Sequence, residues 1–233
     1  MGPLSGLDMR QFAAEFIGAF VLIFAGAGSI ILFAGNAAGV VVIALAHGLA
    51  IAVMVSTLGH ISGGLFNPAL TVGLWVTRRL GTLTTVGFVL AQLAGAAVAA
   101  WALLVLFPEA QREAVNLGVP ELGPATSFAQ GVGLEAVMTL ILMLVVFGTA
   151  IDGRGPKLGG FAIGLTITLD IFFGGPLTGA AMNPARAFGP ALAQLSWDSH
   201  LVYWVGPVIG AVAGALIYHY LFMPEEEEVA ASA

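Results

Sequence analysis

Six stretches of this 233-residue chain are apolar for long enough to cross a lipid bilayer, at about 10–34, 38–58, 82–106, 127–150, 159–174 and 199–223. A helix needs about 20 apolar residues to span roughly 30 Å of hydrocarbon. The fifth stretch falls short, and its outer end is open to extension by a few residues. Charged residues make up only 9% of the chain, against about 25% in a soluble domain, so there is too little polar surface to coat a globule in water. The reading is an all-α membrane protein that crosses the bilayer six times. Residues 1–11 lack the basic start, short apolar core and cleavage site of a removable signal, so the first span is expected to be retained.

Two further stretches, 67–77 and 183–194, are moderately apolar but give only about ten helical residues each, roughly 15 Å or half a bilayer. They read as re-entrant half-helices. They also belong to an internal repeat. Ser62-Gly63-Gly64-Leu65-Phe66-Asn67-Pro68-Ala69 answers Thr178-Gly179-Ala180-Ala181-Met182-Asn183-Pro184-Ala185, and the same offset pairs Gly48 with Gly164 and Gly73 with Gly189. Three spans per copy is an odd number, so the second copy must enter the membrane from the opposite face. This is an inverted repeat. The expected organisation is one transmembrane domain over 1–233, with copies at about 10–106 and 127–222 and an acidic tail at 224–233.

Six spans put both termini on one side. If that side is the cytoplasm it receives Arg10, Arg78, Arg79, Arg154 and Lys157 and leaves Arg112 outside, the bias of a multi-pass protein with cytoplasmic termini. The tail that carries Glu225 to Glu228 is then cytoplasmic too.

Asn is a favoured N-cap and Pro is favoured at the first helical position, where its missing N–H costs nothing. Asn67-Pro68-Ala69 and Asn183-Pro184-Ala185 therefore read as two helix starts in mid-membrane, approached from opposite faces. Irregular backbone at that depth is tolerated inside protein or beside a water-filled cavity. Each helix start carries the equivalent of about +0.5 charge, so a facing pair opposes cations, protons included. With the Asn67 and Asn183 oxygens used in capping, their amide NH2 groups would donate to a passing water and turn its oxygen toward them. That orientation breaks the hydrogen-bond continuity a proton relay needs.

Together with Gly59-His60-Ile61-Ser62-Gly63, Arg186 after the second Asn-Pro-Ala, and Trp204-Val205-Gly206-Pro207, these motifs resemble the aquaporin or major intrinsic protein family over residues 10 to 222, in a prokaryotic or archaeal-like form. The resemblance implies a right-handed bundle of six tilted helices and two half-helices, assembled as a homotetramer in the cell membrane with a pore in each protomer. It implies a passive channel for water and small neutral solutes, with no cofactor. Matched residue by residue, the family's selectivity filter falls on His47, Ile171, Ala180 and Arg186. Arg186 would donate to permeants and repel cations. The resemblance assigns Glu15 and Glu135 to bracing the re-entrant loops, with Gln92 in a similar part, and His60 to the cytoplasmic pore mouth.

Ile171 in place of a ring and a small Ala180 resemble the filters of plant vacuolar-membrane members and partly those of archaeal members, which makes ammonia or another small solute plausible beside water. Ala187 and Tyr203-Trp204 resemble the water-channel pattern rather than that of glycerol facilitators. Asp170 reads as an interfacial acid fixing a turn at Gly174-Gly175-Pro176. Trp101, Trp204, Tyr218, Tyr220, His200 and His219 suit the interface belts.

Other classes fit less well. An inverted-repeat secondary transporter needs ion-coordinating groups in a central site, and Glu15 and Glu135 are the acids well inside. An adhesive membrane protein would need more outer loop than 108–125 offers. With no cysteine, thiolate metal sites and cysteine nucleophiles are excluded. No nucleophile–base pair, metal ligand set or basic nucleic-acid face is visible.

Overall fold

The computed structural model describes residues 8–156 and 158–224. Among them the regular structure is helical. Six long apolar helices are α1 (Met9–Phe33), α2 (Gly39–Ser62), α4 (Thr82–Leu106), α6 (Phe128–Val146, continued by a π turn over Phe147–Ile151), α7 (Gly160–Thr178) and α9 (Val202–Leu221). Two short ones, α3 (Pro68–Val76) and α8 (Pro184–Gln194), are the half-helices, and α5 (Glu109–Glu113) sits in the loop between the copies. Leu49, Val53, Leu90, Leu165, Leu169 and Ile209 are exposed on the outside of the bundle, which is where a bilayer-spanning helix presents side chains to lipid.

Packing follows the repeat. The α1–α4 pair is answered by α6–α9, the α1–α2 pair by α6–α7, and α2 packs on α7 between the copies. Each half-helix lies against the last span of the other copy: α3 on α9 and α8 on α4. Glycine makes the central crossing possible. A Cβ on Gly48 would stand 2.5 Å from the Gly164 carbonyl oxygen, and a Cβ on Gly164 would meet the Gly48 carbonyl in turn. Without an aqueous hydrophobic force between helices, such backbone approach supplies much of the association. Thr168 Oγ1 adds a hydrogen bond across the crossing to the Ala44 carbonyl at 3.2 Å.

The outer end of the fifth span, left open by the sequence, is defined here, and the reading of Asp170 changes with it. The fifth span runs on to Thr178, because Gly174-Gly175-Pro176 is helical rather than a turn. A proline so near a helix end forfeits little of the hydrogen-bond ladder, and Gly179 in the left-handed region (φ 79°) makes the actual stop. Asp170 consequently fixes no turn: it is fully buried on α7, and neither carboxylate oxygen has a hydrogen-bond partner among the described residues. The 108–125 loop carries, besides α5, a 3-10 turn (Asn116–Gly118) that buries Leu117 against the bundle. Lys157 and Glu225 to Glu228 lie outside the described residues.

Candidate functional site

The two loops that precede the half-helices have the same backbone. Gly63 and Gly179 end α2 and α7 in left-handed conformation, and their N–H groups donate to Gly59 and Gly175 at 2.9 Å each. Gly64 and Ala180 follow with positive φ, and so do Phe66 and Met182 immediately before each Asn. Positive φ is unfavourable for residues with a Cβ, so something must hold Ala180, Phe66 and Met182 there.

Two buried carboxylates do so. Glu15 on α1 accepts from Ser62 Oγ at 2.6 Å, Leu65 N at 3.1 Å and Phe66 N at 2.7 Å. Glu135 on α6 accepts from Thr178 Oγ1 at 2.7 Å, Ala181 N at 3.0 Å and Met182 N at 2.6 Å. The correspondence is position for position. Gln92 on α4 extends the first network only, donating to Glu15 at 2.7 Å and to Thr71 Oγ1 at 3.0 Å. In the second copy the Tyr203 hydroxyl donates to the Thr178 carbonyl at 2.9 Å, a partner that sequence reasoning missed because it needs α9 laid against the loop.

Asn67 Oδ1 accepts from Ala69 N, and Asn183 Oδ1 from Ala185 N, each at 2.9 Å, with Pro68 and Pro184 at the first helical position. The amide nitrogens cross between the loops. Asn67 Nδ2 donates to the Met182 carbonyl at 2.8 Å and Asn183 Nδ2 to the Phe66 carbonyl at 2.9 Å. One hydrogen of each amide is therefore committed to the opposite loop, and the other has no protein partner among the described residues. The strained residues Phe66 and Met182 thus serve twice, their N–H groups held by carboxylates and their carbonyls by the opposing Asn.

Both Asn side chains line a cavity of about 690 Å³ through the interior. One end of the cavity holds His60, Arg78 and Arg79, and His47, Ala180 and Arg186 also line it. Ile171 is buried beside Gly175, and α7 contributes Ile163 and Ile167 to the wall instead. His47 and Arg186 touch: Arg186 Nε lies 3.2 Å from His47 Nε2, and His47 Nδ1 lies 2.8 Å from the Ile43 carbonyl. A guanidinium can only donate, so Nε2 accepts, Nδ1 bears the proton and the imidazole is neutral. Gly26 on α1 leaves the space, since a Cβ there would come within 2.5 Å of the His47 ring. Arg186 is itself buried, and its Nη1 has no partner among the described residues.

The His60 end holds a second feature that sequence reasoning missed. Asp152 accepts from Arg154 Nη2 at 2.7 Å and from the Tyr218 hydroxyl at 3.2 Å. The hydrogen bonds from Arg154 hold its carboxyl well below the usual carboxylate range. Arg154 also donates to the Phe222 carbonyl, and Arg79 Nη2 lies 3.3 Å from Met223 Sδ with its guanidinium 5.3 Å from the Phe147 ring centroid.

Known proteins resemble the chain over most of its length. Residues 5–218 match the family described as Major intrinsic protein. The lens fiber major intrinsic protein of Lithobates pipiens is 39% identical over 92% of this chain and 82% of that protein. Aquaporin TIP4-4 of Zea mays is 41% identical over 93% of this chain and 88% of its own length. The X-ray structure of the aquaglyceroporin from Plasmodium falciparum superposes with a TM-score of 0.81 at 26% identity, covering 93% of this chain and 97% of that one. On its motifs, its bundle and these matches, the chain belongs to the major intrinsic protein family.

Proposed function

We propose that the chain is a passive channel for water first and small neutral solutes second, ammonia and glycerol among them, and that it excludes protons and other ions. The observation that carries this reading is the reciprocal Asn67–Met182 and Asn183–Phe66 pair of hydrogen bonds beside the cavity. It joins two helix starts tip to tip, so their partial positive charges oppose a cation at one point. The free hydrogen on each amide orients a passing water. Glu15, Gln92 and Glu135 brace the two loops. The filter is His47, Ala180 and Arg186 with Ile171 beside them, and the Arg186 donors not used by protein meet the permeant. His60 lines the inner mouth.

The domain is one unit of two inverted copies, about 10–106 and 127–222, assembled as a homotetramer in the cell membrane with cytoplasmic termini. The arginine bias supports that orientation. Glycerol as main substrate is the second reading, favoured by the likeness to the aquaglyceroporin; Ala187 and Tyr203-Trp204 weigh against it.

Stopped-flow light scattering on proteoliposomes tests both. Sucrose gradients should give fast shrinkage with a low activation energy, without proton leak and without block by mercurials, since the chain has no cysteine. Glycerol and ammonium gradients rank the solutes. Glycerol flux exceeding water flux would favour the second reading, and saturation or drive by a proton gradient would sink both. Arg186→Val should raise cation conductance.

A further inference from the structure

The segment that joins the two copies is tied to three separate parts of the bundle. Asn116, Leu117 and Gly118 are left-handed in succession (φ 47°, 54° and 74°), the first two against the preference of a residue with a Cβ. Helix α1 holds them there: Leu117 is fully buried, and a Cβ on Gly118 would stand 3.2 Å from the Ala27 Cβ. From that anchor the segment reaches in two directions. Asn116 Nδ2 donates to Ser196 Oγ at 3.0 Å, just past the end of α8, and to Glu121 Oε1 at 2.8 Å. Gly123 N donates to the Leu177 carbonyl at 2.8 Å, at the end of α7.

Between these ties the segment lies on the second re-entrant loop. A Cβ on Gly179 would stand 2.9 Å from the Pro120 Cβ, and Leu122 packs on the buried cluster of Ala181, Ala187, Val202 and Tyr203. Ala181 follows Ala180 and Ala187 follows Arg186, so the segment bears on a cluster that holds the neighbours of both. The first copy is built differently. Gly63 occupies the place of Gly179, with the same left-handed backbone and a carboxylate brace of the same design. Its own chain neighbours aside, no atom of the described residues stands within 4 Å of its Cβ position. A re-entrant loop therefore keeps its shape without such a cover, and among the described residues the cover lies over the loop that carries Ala180 and Arg186.

We propose that residues 116–123 form a specificity strap. By tying the ends of α7 and α8 to one anchor on α1, they hold Ala180 and Arg186 at a fixed separation and so set the largest neutral solute that passes. Asn116, Pro120 and Leu122 are positioning residues, because they act through the filter and not on the permeant. A packed interior transmits strain instead of absorbing it, so a loosened strap is felt at the constriction. The proposal rests on reading His47, Ala180 and Arg186 as the filter, and its test separates the two ideas.

Asn116→Gly deletes the amide that reaches Ser196 while accepting the positive φ, and Leu122→Ala removes the packing on the cluster. Ser127→Ala is the control, since it breaks the capping box of α6 outside the strap. Water and glycerol flux per protein are measured by stopped-flow in proteoliposomes, beside thermal unfolding in detergent. Both strap variants should keep water flux and raise the glycerol-to-water ratio about threefold, less than the roughly tenfold that a whole methylene in a pocket can be worth. Ser127→Ala should lower the unfolding temperature and leave the ratio alone. A ratio that is unchanged or falls in the strap variants, or that rises equally in Ser127→Ala, overturns the strap and spares the channel. Should Leu122→Ala fail to fold, Asn116→Gly and Ser196→Ala carry the same comparison. Absence of water flux in the wild-type chain sinks the channel reading itself.

Discussion

Glu135 accepts three buried donors from one loop, and that loop includes Ala180 and Met182, whose positive φ the chain would not choose alone. Leaving a buried donor unpaired costs about 1–3 kcal/mol, so Glu135→Leu should abolish or severely reduce the folded yield. Glu135→Gln keeps one acceptor oxygen and should fall between, as read by thermal unfolding in detergent followed through tryptophan fluorescence. Asp170 is the opposite case. It is as deeply buried as Glu135 yet without any partner among the described residues. A polar group left so costs about 1–3 kcal/mol by protein mutational data, and Asp170→Val should therefore raise the unfolding temperature. If it lowers the temperature or changes solute selectivity instead, the carboxyl has a partner, such as an ordered water. Sequence reasoning found the charge but not its burial, because it treated Gly174-Gly175-Pro176 as a helix end and so set Asp170 at the membrane surface.

Helices α3 and α8 were readable because capping chemistry is local: Asn, then Pro, then an apolar run too short to cross. Their bounds agree with the expected 67–77 and 183–194 to within a residue or so at each end. The carboxylates were legible as buried acids at matched positions, but the crossed Asn–carbonyl bonds were not. Those join residues more than a hundred positions apart through main-chain oxygens, which a sequence does not distinguish. The α2–α7 crossing lies between these cases. Gly48 and Gly164 stood out as a repeat pair, and the structure adds the reason, backbone against backbone. Gly164→Val should consequently separate the copies and lose folded protein. By contrast, Gly133 has open space around its Cβ position, so Gly133→Ala should be tolerated. Comparable loss in both would mean that added bulk on any helix face, and not the crossing, sets the outcome, since Gly→Ala itself favours the helix.

Taken as one body, the molecule is nearly symmetric at its centre and asymmetric at the end of the cavity that holds His60. There Asp152 ties the turn after α6 to α9 through Tyr218, and Arg154 ties the same turn to the backbone at Phe222. The acid dependence of stability should follow from this tie. Asp152 is held ionised by Arg154 below its ordinary range, whereas an unfolded Asp titrates near about 3.9. A group whose folded value is depressed contributes stability that is fully present above the unfolded value and is lost as pH falls through the folded one. Wild type should therefore exceed Asp152→Asn in unfolding temperature at pH 7, with the gap narrowing only below about pH 4. A gap that stays constant to pH 3, or never exists, would mean that this end is held by the packing of Phe147, Tyr218 and Phe222 and that the ion pair adds nothing. A gap that closes with acid would show one carboxylate coupling the turn after α6 to α9 at the end of the cavity that holds His60.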